Sequence, residues 1–555
     1  MKTTAIVITG FTGLVLLAGC VASSDSGYAH KRAEALARSR PLVYNTDGCD
    51  ILYWPTNMPV SVEGFKNRRL KYALDSRIST VSYCPQSAGF GHFTCRMAGE
   101  PATGTVSVAH HGQASARNAA QDFFNLGTDA LEMASEFCRS NNLELFVSIR
   151  MNDQHDGSSS PEKGYSALFP EFKKQHPECL MGAFGSRNEH MFRQGRGNWS
   201  CVNFAMPIVR DRVRQFVREF LENYDIDGIE FDFNRHLVLF KSVAEGGIAS
   251  QEERDMMTEL MRDIRKIAEE VGRCKNHPFV IVMRAPDSLS FNRDCGIDLE
   301  RWFEEKLVDI WIGGGYFRLT PWEESVQLAH KHGVKFYASI DESRIERFCR
   351  NNALRCIPGR ETIPAYAACF ANAMAAGADG VYVFNREGQF LNNIAQLDGA
   401  KPEGEDKLYF VRYRGKGGYR PDHWLQDGFR HDKLPKLDPG RANEKDFPHY
   451  KPGERFAFTL TVGDDLNAPG AQEAKVAALA LTNLKADGQL ALTVNGHAVS
   501  ACSAKDGLFR YELPRTLVRK GVNDFVVTFP DKGTDMTIND FALEIKYPKK
   551  DVIKQ

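Results

Sequence analysis

The chain has 555 residues, a formal net charge of −1 and 43% hydrophobic residues. That length exceeds one ordinary domain, so two are expected, and the apolar fraction is enough for large packed cores. With no long basic run, the composition gives no reason to expect a nucleic-acid partner.

The N-terminus reads as a targeting segment over 1–19. Lys2 supplies a positive charge, Ala5 to Leu17 form a short apolar run, and Leu17-Ala18-Gly19-Cys20 follows. The run is short for a membrane span and ends in small residues, as signal peptides do. Leu-Ala-Gly-Cys resembles the bacterial lipobox, which implies cleavage before Cys20 and lipidation of its sulfur. Val21 rather than Asp after the cysteine favours, by the same resemblance, the outer membrane of a Gram-negative cell envelope. Residues 20–40 read as a polar tether.

From 41 to 400, short apolar runs alternate with helical patterns. Strands are predicted at Leu42–Asp47, Ser79–Cys84, Leu143–Asp153, Ile226–Asn234, Phe279–Pro286, Val308–Gly314, Val334–Asp341 and Gly380–Asn385. Helices are predicted at Asp129–Asn141, Val209–Tyr224, Met257–Val271, Leu299–Lys306, Pro321–His332 and Thr362–Ala376, with Gly272, Gly333 and Gly377 closing theirs. Eight strands alternating with helices predict an α/β fold, a (β/α)8 TIM barrel. An open doubly wound sheet is the alternative, but its glycine-rich phosphate loop is missing after the first strand. The long connections from Pro85 to Gly127 and from Gln154 to Pro207 fall on the carboxyl side, where substrate clefts are built.

Residues 401–452 are rich in Lys, Asp, Gly, Pro and Arg and read as a linker or an arm over the barrel. From 453 to 548, short alternating runs with turn signals such as Asn495-Gly496 predict a small β-sandwich. The other cysteines allow bridges such as Cys84/Cys95 and Cys349/Cys356, or scattered buried thiols.

The stretch Tyr224-DIDGIEFDFN-Arg235 carries most of the functional information. Ile229, Phe231 and Phe233 alternate with Glu230, Asp232 and Asn234. Unpaired carboxylates cannot be buried against helices, so the polar face must line the barrel interior or its pocket. Other strands end alike: Asn45 and Asp47; Ser148, Arg150, Asn152 and Asp153; Arg284; Tyr337, Ser339, Asp341 and Glu342; Asn385 and Glu387. Such convergence on one rim points to a polar pocket. Paired carboxylates suit glycoside hydrolysis, retaining at about 5 Å separation and inverting at about 6.5–9.5 Å.

On this reading Asp232 is one catalytic carboxylate, and Asp341, Glu342 or Glu230 is the second. Asn45, Asp47, Arg150, Asn152, Asp153, Arg235, Arg284 and Asn385 hold the substrate. Trp199, Tyr316 and Trp322 are candidates to stack on sugar faces. Asp153, His155 and Asp156 could ligate a divalent ion, but the spacing is a weak signal and neither a metal nor a cofactor is expected. No GxSxG elbow and no strand-end lysine support nucleophilic serine or Schiff-base chemistry. Arg150 and Arg284 favour an acidic or sulfated glycan unless both are paired with protein carboxylates.

The segment YDIDGIEFDFNR, with NTDGCD, SIRMNDQHD and DGVYVFN, resembles a group of bacterial glycosyl-hydrolase-like TIM-barrel lipoproteins, distant relatives of the family 10 glycosidases. The resemblance implies a sugar-directed barrel. The same strand is similar to the DGxDxDxE motif of family 18 chitinases at Asp227, Gly228, Glu230 and Asp232, but Asn234 stands where that family has its acid. The reading is therefore a lipid-anchored glycoside hydrolase, with a non-catalytic glycan-binding lipoprotein as the alternative. Its partners are a carbohydrate and, through the anchor, a membrane.

Overall fold

The computed structural model describes residues 14–46, 49–86, 90–97, 114–166, 168–186, 198–340, 356–386, 388–397, 404–411, 420–434, 449–484, 490–501, 503–533 and 536–548, with side chains from residue 26 and without that of Cys49. Eight parallel strands close into a barrel: β1 Leu42–Thr46, β2 Ile78–Tyr83, β3 Glu144–Arg150, β4 Gly228–Asp232, β5 Val280–Ala285, β6 Ile310–Gly313, β7 Lys335–Ser339 and β8 Gly380–Phe384. Each strand pairs with its neighbours in sequence, and β1 closes the ring against β8. All eight predicted strands are present, and the fold is a (β/α)8 barrel. Phe231 of β4 and Phe233 just beyond it are buried, Phe233 against Trp302, while Glu230 bonds across the interior.

The helices between strands present apolar stripes to the barrel. Asp129 caps Ala130–Ser140 by accepting from the backbone N–H groups of Leu131 and Glu132. Gln251–Lys275 opens with a reciprocal capping box between Ser250 and Glu253. That helix runs past Gly272, which was expected to close it, and ends instead at Asn276 in the left-handed conformation, φ 50°. Gly272 answers a packing need: a Cβ there would lie 2.6 Å from the Tyr28 hydroxyl.

Tyr28 belongs to a helix over Leu14–Ala37, part of which was expected to be a free tether. Tyr28 is buried, the Arg273 guanidinium lies 4.9 Å from its ring centroid, and Arg32 pairs with Asp309 at 2.9 Å. Hydropathy alone missed this docking because it uses one aromatic ring, Ala35, Leu36 and long charged side chains rather than a continuous apolar stripe. Among the described residues, no helix is long and apolar enough to cross a membrane. Cys84 and Cys95 are buried thiols rather than a bridge, with Cys84 Sγ donating to the Gln86 carbonyl and Cys95 beside Tyr224; Cys349 lies outside the described residues.

After the barrel, two antiparallel sheets face each other. One runs Lys407–Phe410, Met536–Lys546, Lys475–Thr482, Leu508–Leu513 and Ser503–Lys505; the other runs Arg455–Val462, Gly521–Thr528, Ala491–Val494 and His497–Val499. Phe541 of the first packs between Phe458 and Phe525 of the second, with centroids 4.8 and 4.9 Å away. Asn495 and Gly496, both at positive φ, make the predicted two-residue hairpin turn. The sandwich shares Ala368 and Ala371 of helix Ile363–Ala375 in its core, and Arg360 forks onto Asp540 at 2.6 and 2.7 Å. The intervening chain contributes a strand at 407–410 and a segment at 420–434 that packs on the barrel through Trp424 and an Arg430–Asp294 pair.

Candidate active site

Register places charges of alternating sign side by side across three strand ends. Arg150 of β3 lies beside Asp232 of β4, which lies beside Arg284 of β5. One residue pair deeper, Ser148 lies beside Glu230. The side-chain period of two sends both layers inward, as the alternation of β4 predicts.

Glu230 is fully buried. It accepts hydrogen bonds from Ser82 Oγ at 2.6 Å, Ser148 Oγ at 2.8 Å and Tyr382 Oη at 2.8 Å. Burial, and then the charge of Asp232, push its carboxyl up to about 7, against the hydroxyl of Ser82 and the guanidinium of Arg284. With donors from three strands on it, Glu230 has no exposed face.

Asp232 is 2% exposed. Arg284 Nη1 lies 3.1 Å from each of its carboxylate oxygens, and the Asn234 backbone N–H donates to Oδ1 at 2.9 Å. The Arg284 guanidinium also sits over Phe384 at 4.3 Å, Tyr382 at 5.4 Å and Tyr316 at 5.6 Å. Asn234 donates through Nδ2 to the Gly314 carbonyl. Gly315 is a close approach here: a Cβ on it would lie 2.8 Å from Asn234 Nδ2 and 3.5 Å from Arg284 Nη2.

Beside this row stands a second group. Asp153 is buried and accepts from Arg150 Nη1 at 2.9 Å, from the His155 backbone N–H at 2.8 Å and from His155 Nδ1 at 2.7 Å. Burial raises its carboxyl pKa, but His155, His236 and Arg150 outweigh that and hold it well below the usual range. His155 Nε2 lies 2.9 Å from Arg235 Nη2, and Arg235 Nη1 donates to the Tyr316 hydroxyl. The His236 ring packs edge-on against His155 at 5.0 Å and against Trp424 at 5.6 Å.

Asp153, His155 and His236 offer three donor atoms within 4.8 Å of one another, the arrangement a metal ion would need. The set does not fit one. An imidazole that ligates through Nδ1 keeps its proton on Nε2 and must donate there. Here Nε2 faces a guanidinium that is itself a donor, and a second guanidinium holds Asp153. Two cations in contact with the donors oppose a third. Asp156, the other expected ligand, is held by Lys173 Nζ at 2.6 Å.

The other predicted site residues divide in three. Asn45 is buried with Nδ2 3.4 Å from Ser82 Oγ, and Asn385, at φ 49°, joins β8 to β1 through its backbone N–H on the Asn45 carbonyl. Asn152, expected to hold the substrate, has its amide on backbone groups: its Nδ2 donates to the carbonyls of Val202 and Val238, and its Oδ1 accepts from the backbone of Val202 and Asp153. It ties two loops together. Asp47, Asp341, Glu342 and Glu387 lie outside the described residues, as does the Cys20 side chain.

The expected stacking platforms are not open faces either. Trp199 is buried against Phe169, 5.7 Å between centroids, and Trp322 is buried with the Arg318 guanidinium 3.7 Å from its ring. Tyr316 is 6% exposed and held by Arg235. Both pocket arginines carry a protein carboxylate, Arg150 that of Asp153 and Arg284 that of Asp232, which removes the reason to expect an anionic glycan. The sequence reading missed Ser82, Tyr382 and Gln86, whose Oε1 accepts from the Arg150 backbone N–H. The alternation in β2 and β8 carried a signal for the first two.

No protein-family model matches the chain, and no curated protein matches it. Among solved structures it is similar to glycoside hydrolases. A GH36 α-galactosidase from Geobacillus stearothermophilus aligns at 13% identity and TM-score 0.34, over 94% of this chain and 58% of that one. A maltogenic α-amylase from Thermotoga neapolitana aligns at 12% and 0.34, over 88% and 98%. The PgaB glycoside hydrolase domain from Bordetella bronchiseptica aligns at 12% and 0.36, over 65% and 99%. The chain thus spans 58% of the length of the α-galactosidase.

Proposed function

We propose that this protein is a glycoside hydrolase whose catalytic carboxylate is Asp232. The observation that carries the reading is the strand-end layer: a carboxylate held by Arg284 at the carboxyl end of β4, with the Asp153, His155 and Arg235 group beside it. In this reading Asp232 flanks the scissile acetal, and Asp341 or Glu342, beyond the end of β7, supplies the second carboxyl group. Hydrolysis needs one group to protonate the leaving oxygen and one to attack or to activate water. Glu230 supports Asp232 from below.

The test is a screen of the purified protein against a polysaccharide panel for newly released reducing ends. On a glycan that is turned over, Asp232→Asn should lower kcat by about 100-fold or more, the scale of a lost acid–base group. Full activity in that variant overturns the assignment. A second reading, non-catalytic glycan binding, is favoured by the near-complete burial of Asp232 and the pairing of both its oxygens. It predicts retardation of the protein in polysaccharide-containing gels with no reducing ends released.

The proposal extends to location. Lipidation of Cys20 anchors the protein in the cell envelope, at the outer membrane of a Gram-negative cell. Cys20→Ser should move the protein from the membrane fraction to the soluble one. Continued membrane partitioning of that variant rules the anchor out.

A further inference from the structure

The chain from Asp153 through His155 and Arg235 to Tyr316 has a direction. The Asp153 carboxylate only accepts, so the 2.7 Å contact places the imidazole proton on Nδ1. The His155 backbone N–H on the same oxygen, at 2.8 Å, fixes the ring against rotation. Nε2 is then a bare lone pair, and it meets Arg235 Nη2 at 2.9 Å. An arginine has donors only, so this contact exists only while His155 is neutral. The other terminal nitrogen of Arg235 donates to Tyr316, whose hydroxyl proton must point elsewhere. The side chain of His155 is 26% exposed, against 0% for Asp153.

We propose that neutral His155, its proton placed on Nδ1 by Asp153, is a positioning residue for Arg235 at the barrel mouth, and that a proton on Nε2 breaks that contact. The inference rests on the reading of this mouth as the sugar site, where Arg235 and Tyr316 would present donors to substrate hydroxyls. Among the described residues, the charged and titratable groups around His155 are Asp153 and Arg150 at the end of β3, Arg235 and His236 after β4, and Tyr316 after β6. His423 stands one ring further out, on Trp424. Burial lowers the His155 pKa, Asp153 opposes this, and the charges of Arg235 and Arg150 add to burial, so that the neutral form is favoured. Two donors cannot share the contact. Protonation therefore sets Nε2–H against the guanidinium, and that contact is lost.

Two substitutions separate the parts of this device. In His155→Gln the longer amide reaches the position of Nε2, accepts from Arg235 and does not titrate. In His155→Asn the amide replaces Nδ1 as donor to Asp153 but falls short of Arg235. The first measurement needs no sugar: nitrogen NMR of the full chain labelled at histidine and arginine, with His155 assigned by its loss in the variants. The Nδ1–H tautomer is expected at neutral pH. As His155 gains a proton, the Arg235 side-chain signal should move with the same midpoint, and in His155→Gln it should not respond. An Nε2–H tautomer, or an Arg235 signal unmoved while His155 protonates, overturns the proposal.

The second measurement uses the polysaccharide that gives reducing ends in the screen. There His155→Asn should raise KM about tenfold or more, the scale of a lost charge-assisted hydrogen bond. His155→Gln should stay within about threefold of wild type and lose the acid limb of the kcat/KM profile. Equal damage by Asn and Gln would reduce His155 to packing and overturn the proposal. If the screen releases nothing, the hydrolase reading fails, and the NMR result still decides whether His155 holds Arg235.

Discussion

Two buried guanidinium–carboxylate pairs stand at opposite ends of the barrel. At the floor, Arg40 precedes β1 and Glu144 opens β3. The guanidinium forks onto both carboxylate oxygens at 2.6 Å, Thr80 Oγ1 donates to Glu144 at 2.8 Å, and the other arginine hydrogens reach the carbonyls of Arg38 and Ala35. At the mouth, one nitrogen of Arg284 straddles Asp232 at 3.1 Å, and three aromatic faces surround the rest of the guanidinium. Both join an arginine to a carboxylate, but the floor pair is closed on itself with short, directed bonds. The mouth pair is looser, with the Gly315 backbone packed beside it. Saturated geometry marks a structural ion pair. At the mouth Asp232 takes both of its Arg284 contacts from one nitrogen, the weaker geometry.

The sharpest way to break this comparison is to remove one carboxylate from each end. Glu144→Gln leaves a buried cation without its counter-charge, which should cost about 3–5 kcal/mol of stability in urea unfolding. Asp232→Asn should cost less than half as much, because the faces of Phe384, Tyr382 and Tyr316 still hold the Arg284 guanidinium. Equal costs would show that the looser geometry of the mouth has no energetic meaning.

A second test uses pH. The folded pKa of Glu230, about 7, is raised above its unfolded value of 4.5. Its contribution to stability is therefore complete below pH 4.5 and is lost as pH rises through about 7, and the shift amounts to about 3 kcal/mol. Glu230→Gln removes this titration. The stability of the variant relative to wild type should rise by about that amount between pH 4.5 and 8, read from urea midpoints across the range. A constant difference would mean that Glu230 does not carry its proton into the folded barrel.

Most of the barrel was legible because its strands are buried on both faces and so read as short apolar runs, and because β4 alternates so regularly that Glu230, Asp232 and Asn234 had only the interior to face. Gly333 and Gly377 could be placed by their role at helix ends; both have positive φ. Gly272 could not, since its reason lies in Tyr28, more than two hundred residues away. The same holds in the site. Alternation indicated which side chains point inward, but not that Asn152 would spend its amide on Val202 and Val238, or that Arg150 would choose Asp153 over Asp232. Those choices are set by loops whose paths carry no periodicity. Asp341 and Glu342 rest on sequence alone.

The smallest effect concerns the floor again, where the first helix docks. Gly272 lies inside helix Gln251–Lys275, where alanine would ordinarily gain about 1 kcal/mol. Its added methyl would stand 2.6 Å from the Tyr28 hydroxyl, 3.3 Å from the ring of Tyr28 and 3.0 Å from the His277 carbonyl. Overpacking of this kind costs about 1–3 kcal/mol, so Gly272→Ala should be destabilising in spite of helix propensity. Tyr28→Phe removes the closest of the three atoms. In that background the cost of Gly272→Ala should fall by about 1 kcal/mol, a coupling that urea midpoints of the four proteins in a double-mutant cycle can resolve. If the two substitutions simply add, Tyr28 does not rest on Gly272, and the first helix is the free tether that hydropathy suggests.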